Sequence, residues 1–181
     1  MSVSDNSRSG PVLLVGGGKM GGAMLAGWLS HGVTPADILV VEPDGKAAAS
    51  LRDQYKVGVG DSLPEKLERA PSMVIFAVKP QVLANVAPPY KRLVGADTAF
   101  LSIAAGKTIA FFQRHLGANA AIIRAMPNTP AAVGRGITVL TRSLYIRSGG
   151  KSVTAKSMNI TQPSSKASRR RHAPCFVIRY P

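Results

Sequence analysis

Five short apolar runs recur along the chain: PVLLV (11–15), DILVVE (37–42), SMVIFAV (72–78), TAFLSIAA (98–105) and AAIIRAMP (120–127). Each is unbroken rather than alternating, the pattern of a strand buried on both faces of a parallel sheet. Helical segments lie between them. Met20 to Ser30 follows a glycine turn, Asp44 is placed to cap GKAAASLRDQYK, and Thr108 is placed to cap IAFFQRHL before Gly117 ends it. Strands alternating with helices of this length predict βαβ units with right-handed crossovers, and hence an α/β fold with an open, doubly wound, mostly parallel sheet. An antiparallel α+β domain is the competing arrangement, but its strands would more often alternate apolar with polar positions. In the doubly wound class, ligands bind beyond the carboxyl ends of the strands.

Composition changes this picture at one end only. A chain of 181 residues holds one domain of ordinary size, about 100–150 residues, with a remainder too small for a second. The net charge of +14 points toward an anionic partner until it is divided along the chain. Residues 1–140 carry 14 basic and 9 acidic residues, a net +5, whereas residues 141–181 carry nine basic residues and no acid. The excess therefore belongs to the tail. The single cysteine, Cys175, excludes an internal disulfide framework. MSVSDNSRSG offers no apolar core for a signal peptide, and no stretch approaches the ~18 apolar residues of a membrane helix. No membrane association and a cytoplasmic location are expected.

The first strand runs into VGGGKMGGAML, in which Gly16, Gly18 and Gly21 spell GxGxxG. Alone the motif is weak, but here it follows a strand, opens a helix, and is followed by an acid, Glu42, at the end of the second strand. Each glycine then has its own physical role. Gly16 turns the chain, Gly18 admits a pyrophosphate to the backbone, and Gly21 lets helix and strand pack closely. A glycine-rich turn without a ligand is the alternative. The Glu42 carboxylate can accept hydrogen bonds from ribose hydroxyls and would repel a 2′-phosphate, which favours NADH over NADPH; otherwise it merely faces solvent.

Three further strand ends carry chemistry. AVKPQ (77–81) holds Lys79 in extended geometry before Pro80, near a cofactor crevice or simply at the surface. SIAAGKT (102–108) is small enough at Ala104, Ala105 and Gly106 for a flat ring to approach, and in RAMPNTP (124–130) two prolines stiffen the loop presenting Asn128. Residues 1–140 contain no triad, no catalytic residue that can be named and no metal site. His31 fits a helix C-terminus and His115 sits on a helix beside aromatic residues, so both are structural.

Taken in order, GGGKMGGAML, AVKPQ, SIAAGKT and RAMPNTPAAVGRGITV resemble the pyrroline-5-carboxylate reductase family over about residues 11–139. The resemblance implies a Rossmann-type domain over 11–140, after a disordered N-terminus at 1–10. It implies transfer of a hydride from NADPH or NADH to 1-pyrroline-5-carboxylate, giving L-proline. Gly16, Gly18, Lys19, Met20 and Gly21 would hold the pyrophosphate, and the turn after Glu42 would meet the adenosine. Ala77, Val78, Lys79 and Pro80 would line the crevice, Ala104, Ala105 and Gly106 would lie near the nicotinamide, and Met126, Asn128 and Thr129 would close the substrate side. Two positions depart from the family: Lys19 stands where Asn is frequent, and Glu42 where members preferring NADPH have small or polar residues.

Family members continue into a helical domain that forms a homo-oligomer and grips the substrate; nothing from TRSLYIRSGG onward resembles it. The segment 141–181 holds seven serines and no acid, and is expected to be a largely disordered basic tail. A shifted reading frame near codon 140 accounts together for the abrupt change, the vanished acids and the early end, and predicts an impaired, truncated reductase or a non-functional product. A basic appendage using KASRRRHAP (166–174) to bind nucleic acid is the alternative, although its few aromatics, Tyr145, Phe176 and Tyr180, argue against a folded reader. His172 and Cys175 supply two ligands where a structural zinc site needs four.

Overall fold

In the computed structural model, residues 10–127, 137–142 and 175–179 are described, with side chains described over 10–126. The apolar runs become strands because their residues are buried on both sides. Val12–Val15 (β1), Ile38–Val41 (β2), Gly58–Gly60 (β3), Met73–Phe76 (β4), Ala99–Ser102 (β5) and Ala121–Pro127 (β6) form a parallel sheet in the order β3-β2-β1-β4-β5-β6. The order reverses between β1 and β4, which creates the switch-point crevice of this fold class.

The faces are covered as the strand periodicity dictates. Leu13 and Val15 point to one layer and Leu14 to the other. One layer contains Lys19–Ser30 (α1) and Gly45–Tyr55 (α2), which contribute Leu25 and Leu51. The opposite layer contains the short Leu83–Val86 (α3), a 3-10 helix over Pro88–Leu93, and Ile109–Leu116 (α4). Its centre is aromatic: Phe76, Phe100 and Phe112 are buried together.

The predicted caps are made. Asp44 Oδ1 accepts from the Ala47 N–H at 2.8 Å, and Thr108 Oγ1 accepts from the Phe111 N–H at 3.1 Å. Each satisfies a donor that the first helical turn leaves orphaned. Lys56 closes α2 in the left-handed region at φ 57°, and Gly117 closes α4 at φ 107°. His31 ends α1 as expected, with Nδ1 2.7 Å from the Gly27 carbonyl oxygen, so that nitrogen carries the proton. His115 makes the same kind of bond to the Phe111 carbonyl, at 2.8 Å.

Beyond β6 the sheet continues antiparallel, with Ile137–Arg142 (β7) against β6 and Cys175–Arg179 (β8) against β7. β7 runs through residue 140, and β8 comprises residues 175–179. Its sequence, CFVIR, is rich in β-formers, and pairing with an open strand edge supplies backbone partners that composition does not reveal.

Tyr90 packs edge-on against Phe76, with ring centroids 5.3 Å apart, and burial pushes its phenol up to about 12. A phenol that ionises near 10 when unfolded and near 12 when folded contributes stability that is fully present below pH 10 and lost as pH rises toward 12. The loss is expected to be on the order of 2 kcal/mol. Urea unfolding midpoints at pH 9 and pH 11.5 should show the fall, and Tyr90→Phe should make it shallower; an equally steep fall in the variant would refute the assignment.

Candidate cofactor site

The site begins where β1 ends. Gly16 adopts φ 96°, a conformation L side chains rarely enter, and its N–H donates to the Val41 carbonyl at 2.9 Å. A Cβ there would stand 2.7 Å from Val78 Cγ1, so the turn lies directly against the end of β4. At Gly21 a Cβ would lie 2.0 Å from the Gly16 carbonyl oxygen. At Gly18 it would meet nothing within 4 Å. Gly16 is therefore required by its backbone conformation and Gly21 by the closeness of the glycine turn, while Gly18 borders open space.

Gly18 is the N-cap of α1, and no side chain caps it. The first N–H groups of α1 lack intrahelical partners and carry the positive end of the helix dipole, a ready site for a phosphate. Exposed Lys19 opens this helix and half-buried Met20 follows it. A groove of about 350 Å³ runs from this turn between α1 and α2, past Lys19, Ala47, Ser50, Gln54 and Tyr55.

Glu42 stands at the end of β2, beside the glycine turn. Its Oε2 accepts from the Gly17 N–H at 2.7 Å and its Oε1 accepts from the Asp44 N–H at 3.0 Å. Sequence reasoning placed Glu42 at the ribose but missed this latch. Nothing in the sequence signals it, because the bond to Gly17 joins residues 25 positions apart.

Across the switch point, the Ala77 N–H donates to the Val15 carbonyl at 2.8 Å and Val78 packs on the glycine turn. Lys79 is exposed, and its carbonyl accepts from the Val82 N–H at 3.2 Å as the chain turns through Pro80 into α3. Ala104 is buried, Ala105 is exposed, and Gly106 turns the chain at φ 71°. Met126 is 38% exposed at the end of β6. Arg124 Nη2 donates to Met126 Sδ at 3.3 Å, and its buried Nε has no hydrogen-bond partner among the described residues. Asn128 and Thr129 lie outside the described residues. Among the described residues no group of three or more His, Cys, Asp or Glu could hold a metal ion, and no helix is long and apolar enough to cross a membrane.

A glycine turn leading into a helix N-terminus at the β1/β4 switch point, with an acid closing β2, defines a Rossmann-type α/β domain. The chain belongs to the family described as NADP oxidoreductase, coenzyme F420-dependent, whose sequence pattern matches residues 11–106, and its curated relatives are pyrroline-5-carboxylate reductases. The Escherichia coli (strain K12) enzyme is 38% identical over 133 residues, which is 73% of this chain and 49% of that protein. A solved pyrroline-5-carboxylate reductase from Coxiella burnetii superposes with a TM-score of 0.70 at 23% identity, covering 83% of this chain and 56% of that one. The Plasmodium falciparum pyrroline carboxylate reductase, solved with NADP bound, gives 0.67 at 23% identity, covering 82% and 54%. The chain spans about half the length of the curated relatives it matches.

Proposed function

We propose that residues 11–140 form the NAD(P)H-binding part of a reductase that converts 1-pyrroline-5-carboxylate to L-proline. The observation that carries this reading is the clear space at Gly18, opening on the uncapped start of α1 at the switch point. Gly16, Gly18, Lys19, Met20 and Gly21 hold the pyrophosphate, Ala77, Val78, Lys79 and Pro80 line the crevice, and Ala104, Ala105 and Gly106 border the nicotinamide. Met126, with Asn128 and Thr129, faces the substrate. The bound cofactor would supply the hydride for the imine carbon; the chain's own residues bind and orient it and close one side of the crevice.

The match covers 73% of this chain and 49% of the Escherichia coli enzyme, so about half of that relative lies outside it. Orientation of the reacting centre depends on groups throughout a site. This chain alone is therefore expected to bind dinucleotide and to turn over 1-pyrroline-5-carboxylate at least about a hundredfold more slowly than the Escherichia coli enzyme. Fluorescence titration with NADH and NADPH tests the first expectation, and oxidation of either cofactor on adding substrate tests the second. No binding at millimolar cofactor would sink the reading, and turnover equal to that of the relative would sink the impairment.

The nine basic residues and absent acids of 141–181 favour two further tests. Re-reading the coding DNA across codons 130–181 is expected to reveal one inserted or deleted base. If the frame stands, salt-dependent binding to arbitrary duplex DNA that disappears without residues 141–181 would support a basic appendage instead.

A further inference from the structure

We infer that Arg124 is the residue of this domain that receives the carboxylate of the substrate. The inference rests on the reading of the chain as the cofactor-binding part of a 1-pyrroline-5-carboxylate reductase. It adds a substrate contact at β6, one strand beyond the loop proposed to border the nicotinamide.

Arg124 is held firmly by its backbone and poorly served at its side chain. It lies in β6 with β5 on one side, in register with Ser102, and β7 on the other, opposite Thr141. Ser102 ends β5, and its Oγ accepts from the Ala104 N–H at 3.2 Å, so Arg124 stands beside the start of the Ala104–Gly106 loop. Met126, two residues on, shares a face of the sheet with it. A guanidinium carries five N–H donors. Here Nη2 donates to the Met126 sulfur at 3.3 Å, a weak acceptor, and Nε is buried with no hydrogen-bond partner among the described residues. A buried donor of a charged group left without an acceptor is destabilising. Nε and Nη2 share one edge of the guanidinium. A carboxylate on that edge would satisfy Nε with one oxygen and take the place of the sulfur at Nη2 with the other.

The charge at these strand ends has the matching sign. Exposed Lys79 follows β4, and half-buried Lys107 follows the loop after β5, its Nζ 4.5 Å from the centre of the Phe111 ring. No acid occurs between Glu68 and Asp97, and none follows Asp97. Asp97 itself precedes β5, at the amino end of the parallel strands. The acids at carboxyl ends, Glu42, Asp44 and Asp61, follow β2 and β3 on the other side of the switch point. An anionic substrate is therefore drawn toward the ends of β4, β5 and β6. Lys79 and Lys107 supply field, whereas Arg124, half-buried beside exposed Met126, supplies a planar fork with an open edge. A carboxylate gripped through both oxygens fixes the orientation of a small ring, and orientation is what hydride transfer requires of the protein.

The test follows the Nε–Hε nuclear magnetic resonance of Arg124 in the full chain with NADH present, as L-proline is added. Proline carries the carboxylate on the same ring, and because both compounds are reduced no hydride moves. The resonance is expected to shift downfield with a millimolar dissociation constant, and to stay in place with L-prolinamide, which lacks the anionic oxygens. Arg124→Gln should weaken L-proline binding, followed on the remaining amide resonances, by at least about tenfold. Its melting temperature should equal or exceed that of the unmodified chain, because an unsatisfied buried donor has been removed. A lower melting temperature with unchanged L-proline affinity would make Arg124 a strut of β6 and overturn the inference. An equal shift with acetate at the same concentration would mark a general anion site and overturn substrate recognition. NADH binding without any L-proline-dependent shift overturns the carboxylate site and leaves the cofactor reading standing, whereas failure of both to bind overturns that reading too. The resonance is read on the unmodified chain, so a poorly folded variant does not decide the matter.

Discussion

Replacing Gly21 with alanine should cost about 3 kcal/mol of stability and weaken dinucleotide binding by at least tenfold. The reason is geometric. The added methyl would stand 2.0 Å from the Gly16 carbonyl oxygen, with Ala77 Cβ behind it at 3.6 Å. Neither neighbour can yield alone, because Gly16 is held by its bond to the Val41 carbonyl and Ala77 by its bond to the Val15 carbonyl. The start of α1 must therefore move away from the sheet, and with it the N–H groups and dipole proposed to meet the phosphates. Misaligning a helix terminus forfeits about 1–2 kcal/mol of its attraction for an anion, which at 1.4 kcal/mol per decade is roughly tenfold. Gly18→Ala provides the contrast. Its backbone is at φ −63° and nothing lies within 4 Å of the new methyl, so stability should change by less than about 1 kcal/mol. Binding should still fall, because the methyl would occupy the space proposed for the pyrophosphate. Thermal melting and NADH titration of both variants separate the two roles, and a Gly21→Ala protein that melts and binds normally would refute the packing argument.

The same residues show what can be read without a structure. β1, β2, β4, β5 and β6 were legible because burial on both faces requires continuous apolar runs, and the first-turn donors of α2 and α4 require Asp44 and Thr108. β3 was not legible: Gly58–Gly60 carries almost no side-chain signal and is a strand because the edge of β2 offers it partners. β7 and β8 were hidden for a related reason, since antiparallel pairing at the far edge joins segments that sequence and charge set apart. At the site, the roles of Gly16 and Gly21 followed from the motif and agree with the packing. The latch of Glu42 on Gly17 and Asp44 did not, because it depends on where a turn aims two oxygens. Pro80 was read as holding Lys79 extended near a cofactor crevice or at the surface; Lys79 is exposed, and its backbone carbonyl accepts from the Val82 N–H.

The stability of the cradle depends on a residue that touches no ligand. Phe76 ends β4 with no exposed surface; its ring stacks with Phe112 at 5.8 Å and Phe100 at 6.4 Å and meets Tyr90 edge-on at 5.3 Å. Truncating it to alanine removes the centre of one hydrophobic layer, and the rigid strands on either side, β1 and β5, cannot collapse into the gap. The expected loss is about 3–5 kcal/mol, a large share of the roughly 5–15 kcal/mol that holds an ordinary domain together. Phe76→Leu keeps most of the volume and should cost less than half as much. Function should follow stability here, because Ala77 and Val78 come next in the chain and Val78 braces the glycine turn. Urea unfolding of both variants supplies the free energies, and NADH titration below the unfolding transition supplies the coupling. A Phe76→Ala loss below about 1 kcal/mol, the ordinary cost of a mild substitution, would mean that the aromatic layer is not what fixes β4. Normal stability loss with unchanged NADH affinity would mean that β4 holds the turn through its backbone pairing with β1 alone.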